Sequence, residues 1–363
     1  MPTLPHIYFN AFNLIVQIGS VRFRKLLNFF PSLETAWQAS ATEFRQAGLE
    51  EEVVAKILEK RREIDPQAEF TKLEQQKIRL IAFGDELYPK LLREIPNPPI
   101  VLYVLGDLLG RDEMAIAVVG TRKCTPYGRQ VTEDIVRDLV RANLTIVSGL
   151  ALGIDAIAHQ SALYYQGRTI AVLACGLDTI YPVANHSLGQ KILSQGGAIL
   201  SELPLGTPPL KHHFPVRNRI ISGLCLGTLV IEAAADSGSL ITASHALEQN
   251  RQVFAVPGSI YNPSSVGPNN LLKMGAKPVT KVADILEELN LEWVEQQLET
   301  ESTIGDNEEE VQILKLLTRV PIHFDQITRT ANLPASTVAA TLTIMEMKGK
   351  VRNLGANQYV RTR

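Results

Sequence analysis

The chain has 363 residues, 36 Lys+Arg against 38 Asp+Glu, and a formal net charge of -2. At about 100–200 residues per domain, that length allows two or three domains with a sizeable core. A composition of 45% apolar and 20% charged residues excludes a disordered, collagenous or supercharged chain, and the near-zero balance argues mildly against nucleic acid as a partner.

Cys124, Cys175 and Cys225 are odd in number and scattered, with no Cys-x-x-Cys pair, which predicts free thiols in a reducing compartment. Residues 1–13 carry no basic run or long apolar stretch, so no signal peptide is expected. No run approaches the roughly 18 apolar residues of a membrane span. A cytoplasmic location is the expectation.

The segment 1–80 reads as a small helical domain. Apolar residues recur at helical spacing at Leu14, Ile18, Leu26, Leu27 and Phe30, and again at Val53, Val54, Ile57 and Leu58, with Gly19, Pro31 and Gly48 as punctuation. Residues 83–106 contain Pro89, Pro96, Pro98 and Pro99 and read as an irregular connection.

From Ala115 short apolar runs alternate with amphipathic ones. The strands are expected at Ala115–Val119, 145–147, 169–174, Ala198–Ser201, 228–233, 253–256 and 277–280, and the helices at 127–142, 154–165, 187–194, 217–224, 240–249 and 282–289. This alternation predicts an α/β core over 81–290, a Rossmann-like parallel sheet covered by helices on both faces. Its ligands belong beyond the carboxyl ends of the strands.

Charge is uneven along the chain: residues 291–310 hold eight acids and no base, while 311–363 hold eight bases and two acids. The acidic stretch reads as a linker. The basic end, with helical runs at 311–317, 324–330 and 336–347 and strand-like runs at 351–354 and 358–360, reads as a winged helix. A hydroxyl cap is expected in the turn Pro334-Ala335-Ser336.

Several loops suit an anionic ligand. Gly120-Thr121-Arg122-Lys123 ends the first core strand, and Arg122 can fork onto phosphate or stack on a base; the same string fits a plain βα turn. Ser148-Gly149 through Gly153-Ile154-Asp155 forms a small-residue turn, without the Gly-x-Gly-x-x-Gly order of a dinucleotide site. Asp155 and His159 stand four apart but lack a third ligand, so no metal is expected. Ser237-Gly238-Ser239 opens another helix, with Thr242 one turn on.

The densest feature is Lys211-His212-His213-Phe214-Pro215-Val216-Arg217-Asn218-Arg219, three cations around an aromatic with no acid. That mixture fits single-stranded nucleic acid, whose phosphates need charge and whose unstacked bases need a π face. A solvated basic loop is the plainer alternative. Pro215 would place Arg217 to Arg219 in a first helical turn, where the helix dipole disfavours cations. Glu232 alone is weak evidence for a general base.

Taken in order, Gly120-Thr121-Arg122, Ser148-Gly149…Gly153-Ile154-Asp155, Phe214-Pro215-x-Arg217-Asn218-Arg219-Ile220-Ile221-Ser222-Gly223, Ser237-Gly238-Ser239-Leu240-Ile241-Thr242 and Val256-Pro257-Gly258 resemble the DNA processing protein A (DprA/Smf) family over about 80–290. Thr121 stands where a serine is commoner, and Cys225 follows the helix after Gly223. The N-terminal helices resemble that family's accessory domain of the helix-hairpin-helix or sterile-alpha-motif kind, and the C-terminal module its winged helix.

Several phosphate-friendly loops without a nucleophile–base–orienter set suggest binding rather than turnover, and the resemblance implies a dimeric recombination mediator. It would bind single-stranded DNA, displace single-strand binding protein and load RecA recombinase during natural transformation, without a cofactor. It also implies DNA contacts at Arg122, Lys211, Phe214, Arg217, Asn218 and Arg219; Gly149, Ser239 and Thr242 complete the candidate set.

Two alternatives remain. Nucleoside-monophosphate phosphoribohydrolases share such a core, but their Pro-Gly-Gly-x-Gly-Thr-x-x-Glu string fails here, where Leu226 precedes Gly227-Thr228 and Glu232 comes one residue late. A winged-helix regulator would use Arg329, Lys348, Lys350 and Arg352, yet 336–347 holds no Arg or Lys to read bases.

Overall fold

The computed structural model describes residues 4–291, 307–318, 321–348, 350–355 and 357–361. The chain divides into two compact units, 1–289 and 290–363. Most of the acidic stretch, residues 292–306, lies outside the described residues. Among the described residues no helix is long and apolar enough to cross a membrane.

Six short helices open the first unit: α1 (Leu4–Asn13), α2 (Ser20–Phe29), α3 (Leu33–Gln38), α4 (Ala41–Gln46), α5 (Glu51–Lys60) and α6 (Pro66–Gln75). Side chains start several of them. Ser32 accepts from the Thr35 amide, Ser40 and Glu43 form a reciprocal capping box, and Asp65 caps α6 ahead of Pro66. Their apolar faces do not close on themselves. Phe12, Phe23, Leu26, Phe44 and Ile57 share one core with Leu80, Val101 and Tyr103 of the sheet. Buried Tyr103 donates from its hydroxyl to Asn10 Oδ1 (2.8 Å) and accepts from Asn13 Nδ2 (3.1 Å), tying α1 to the sheet.

The sheet has nine strands: β1 (Arg79–Ala82), β2 (Val101–Gly106), β3 (Ala115–Val119), β4 (Thr145–Ser148), β5 (Thr169–Val172), β6 (Ala198–Ser201), β7 (Gly227–Val230), β8 (Gln252–Ala255) and β9 (Lys277–Pro278). Their order is β1-β2-β6-β5-β4-β3-β7-β8-β9. Pairings from β6 to β9 are parallel, as the alternation predicts, with Ala117 opposite both Val147 and Thr228. Strand β2 runs antiparallel to β6, and β1 antiparallel to β2. This corrects the reading of 83–106 as wholly irregular: the prolines lie ahead of β2, around the short helix α7 (Lys90–Arg93), and leave 101–106 free to pair. Both sheet faces are buried, Ile170 and Val172 in one core and Ala171 and Leu173 in the other.

Parallel connections run through α8 (Pro126–Arg141), α9 (Ile154–Tyr164), α10 (His186–Ser194), α11 (His213–Gly223), α12 (Gly238–Glu248) and α13 (Val266–Lys273), with α14 (Ala283–Glu288) after β9. Helix α13 takes up Gly267-Pro268-Asn269-Asn270, since Pro268 falls in a first turn that does not need its amide.

The second unit holds α15 (Glu308–Leu316), α16 (Phe324–Ala331) and α17 (Ala335–Met347) with a sheet ordered β10 (Ile322–His323), β12 (Gln358–Arg361), β11 (Val351–Asn353). Its core is Ile313, Leu314, Leu317, Ile327, Val338, Leu342, Met345 and Val351. The end of the expected linker is in fact helical: Asn307 caps α15, whose first turn carries Glu308, Glu309 and Glu310. Glu310 is buried and accepts from Lys348 Nζ (2.6 Å) and Lys350 Nζ (2.8 Å). The expected hydroxyl cap of α17 does not form, since Pro334 occupies the cap position.

Candidate nucleic-acid interface

Strand order reverses between β3 and β7: β4, β5 and β6 extend to one side of β3, and β8 and β9 lie beyond β7. Loops leaving two such neighbours diverge and open a crevice at their carboxyl ends. A cleft of ≈ 390 Å³ lies there, lined by Gly120-Thr121-Arg122-Lys123, by Phe214, Arg217 and Asn218 of α11, and by 236–239, Ile241 and Thr242 at the start of α12.

The β3 and β4 loops lock together. The Thr121 amide donates to Glu232 O (2.7 Å), and the Ile154 amide donates to Thr121 O (3.2 Å). Gly153 adopts φ +79°, and a Cβ there would stand 2.3 Å from Thr121 O, so two requirements select glycine. Asp155 accepts from the Gly149 and Ala151 amides (3.1 and 3.4 Å), holding the 149–151 turn.

Helix α11 begins at His213, earlier than expected, so Arg217 to Arg219 fall beyond its first turn, away from the repulsive end of its dipole. Arg217 and Arg219 are 5% and 7% exposed, which is too little for freely solvated phosphate clamps. Arg217 Nη1 donates to Gly149 O (2.9 Å) and to Val172 O, joining α11 to the ends of β4 and β5. A Cβ on Gly149 would sit 2.7 Å from Arg217 Nη2, so this glycine makes room for the guanidinium. Desolvation pulls the Arg217 pKa down to about 10, with Asp155 working the other way. Burial pushes the Asp155 carboxyl up against the pull of Arg217, and drives His159 down to about 3. His159 therefore stays neutral, Nδ1 on Thr169 Oγ1 (2.7 Å). Arg219 turns away from the cleft and pairs with Glu202 (2.5 Å).

The exposed cations lie elsewhere. Arg122 and Lys123 stand at the cleft wall and Lys211 precedes α11, all three exposed and without a carboxylate partner among the described residues. The Arg122 guanidinium carbon is 5.7 Å from the half-buried Phe214 ring centroid, and that of Arg217 is 5.9 Å away. Ser237 caps α12, and Asn218 Nδ2 donates to Gly238 O (3.2 Å). Of the nine candidates, the structure brings Arg122, Phe214, Arg217, Asn218, Ser239 and Thr242 together at the cleft wall. Lys211 lies outside that lining, Gly149 lies behind Arg217, and Arg219 faces a different crevice.

Sequence reasoning missed Tyr181, whose ring centroid lies 6.0 Å from that of Phe214. No local pattern links residues 33 positions apart, one on a loop and the other in the first turn of α11. Glu232 is buried and accepts from the Thr125 amide (2.8 Å) and hydroxyl (2.6 Å), so its carboxylate is committed to the β3 loop. Among the described residues no three His, Cys, Asp or Glu side chains converge as metal ligands.

Comparison with known proteins gives a consistent picture. The family described as DNA recombination-mediator protein A matches residues 79–290, and the DprA winged helix domain matches 297–357. Protein Smf of Synechocystis is 41% identical over 287 residues, covering 78% of this chain and 72% of that protein. The X-ray structure of DNA processing protein A from Streptococcus pneumoniae superposes with TM-score 0.67 at 39% identity, over 78% of this chain and 97% of that one. A structure described as giving insight into single-stranded DNA binding by the Helicobacter pylori protein superposes with TM-score 0.53 at 33% identity, over 59% and 95%.

Proposed function

This chain belongs to the DNA recombination-mediator protein A (DprA/Smf) family, and on that premise we propose that it binds single-stranded DNA in the cleft between β3 and β7. The observation that carries the reading is Arg122, an exposed guanidinium without a carboxylate partner among the described residues, set beside the Phe214 ring. Phosphates find charge at Arg122, Lys123 and Lys211, and an unstacked base finds a π face at Phe214. Asn218, Ser239 and Thr242 offer polar groups along the wall, while Arg217 and Gly149 hold its shape. Arg219, paired to Glu202, supports α11 from its other side.

Family membership supports a wider role as well. The protein is a non-enzymatic mediator that works as a homodimer in the cytoplasm, displaces single-strand binding protein and loads RecA recombinase onto strands entering during natural transformation. A phosphoribohydrolase reading is disfavoured by Glu232, which is sealed behind Thr125. Filter binding of labelled oligothymidylate tests the site: Arg122→Ala/Lys211→Ala protein is expected to bind at least about tenfold more weakly, with a shallower salt dependence. Unchanged affinity would remove the cleft from consideration. Co-purification of RecA with the full chain tests the mediator role.

A further inference from the structure

Tyr181 lies on the loop after β5 and is 39% exposed. Its hydroxyl has no hydrogen-bond partner among the described residues. Its neighbours are tied down. Ile180 is buried, the Thr179 amide donates to Gly176 O (3.2 Å), and Asn185 Nδ2 donates to Leu150 O (2.8 Å) and Ala151 O (3.2 Å). Rings on anchored backbone lose little freedom when a ligand covers them. The second ring, Phe214, is equally fixed, since Arg217 one turn later pins α11 to β4 and β5. The two planes meet at 60°, with centroids 6.0 Å apart.

That angle decides what the pair can hold. A slot for one base needs parallel rings about 7 Å apart, twice the stacking distance. Two planes at 60° instead offer separate faces to two bases that are not stacked on each other. Adjacent bases of a duplex are parallel and cannot turn to both faces; a single strand kinks freely and can.

We propose that Tyr181 is a second base platform beside Phe214, and that the angled pair selects kinked single strands over duplex. This rests on the single-strand reading of the cleft. Phosphates then follow Arg122 and Lys123, while successive bases turn toward Phe214 and Tyr181.

Fluorescence anisotropy with oligothymidylate, an abasic deoxyribose-phosphate oligomer of equal length, and a duplex tests this. Tyr181→Ala and the bulkier Tyr181→Leu are expected to weaken oligothymidylate binding about tenfold while leaving abasic and duplex binding and the salt slope unchanged. Tyr181→Phe, which keeps the π face, is expected to match the parent. The inference is overturned if Tyr181→Leu binds oligothymidylate normally, or if oligothymidylate and abasic affinities fall together, which marks a structural role. In either case a loss with Arg122→Ala keeps the cleft as the DNA site. If Arg122→Ala and Tyr181→Leu both bind normally, the cleft reading fails as well.

Discussion

In the cleft, Arg122 and Lys123 stand exposed without a carboxylate partner among the described residues, whereas in the winged helix Lys348 and Lys350 both donate to buried Glu310. The near-neutral core thus presents available cations, while the module that carries the basic excess commits two of its lysines internally. Helix α17 exposes Ile344 and Met347 and contains no Arg or Lys. Net charge by segment is a poor locator of an anion site; what counts is charge without an internal partner beside a surface the ligand can use. Within the cleft the same distinction separates Arg122 from Arg217, one open to solvent and one sealed among carbonyls.

The widest test of this division is Arg217→Ala. It strands the Gly149 and Val172 carbonyls and leaves buried Asp155 without its cation, a loss of about 3–5 kcal/mol, so the melting temperature is expected to fall on the order of 10 °C. A variant that melts normally and loses only DNA affinity would make Arg217 a direct contact instead.

The interior cluster also has a pH signature. His159 is held near 3 in the folded protein against an ordinary value of about 6.5, so the unfolded chain binds the extra proton. Its stabilisation is present above about pH 6.5 and is lost as pH falls. Between pH 7.5 and 5 the loss is about 2 kcal/mol, read from denaturant midpoints, and His159→Gln should flatten that slope.

In the second unit, Glu310→Ala removes the carboxylate from two lysines whose side chains are 36% and 19% exposed. That solvent access keeps the expected cost to about 2 kcal/mol, confined to the module's own unfolding transition. Oligothymidylate affinity should stay unchanged. A matching loss of affinity would place the winged helix in single-strand binding and weaken the contrast drawn above.

The smallest effect belongs to Arg122→Ala, about tenfold in affinity with a salt slope shallower by about 0.7, while the melting temperature holds. Destabilisation there would mean that Arg122, like Arg217, is structural.

The order of strands β3 to β8 and their helices was legible because parallel strands buried on both faces read as unbroken apolar runs. Strand β2 was hidden by the prolines before it, and α13 by a Gly-Pro-Asn-Asn string that reads as a turn. In the cleft, Arg122 and Phe214 were legible through residue type and motif. Their neighbour Arg219 was not, because adjacent helix positions point in different directions and only packing shows which of them meets Glu202.

By itself the sequence determined an α/β core flanked by helices and a winged helix, the family, and the loops that carry the cleft, since periodicity and short motifs are local properties. Tertiary structure decided which cations remain available. Whether an arginine is a ligand contact or a strut depends on the carbonyls and carboxylates that distant strands bring to it, as β4 and β5 bring theirs to Arg217. It also placed Tyr181 at 60° to Phe214, an angle between a loop and the start of α11 that neither segment encodes alone.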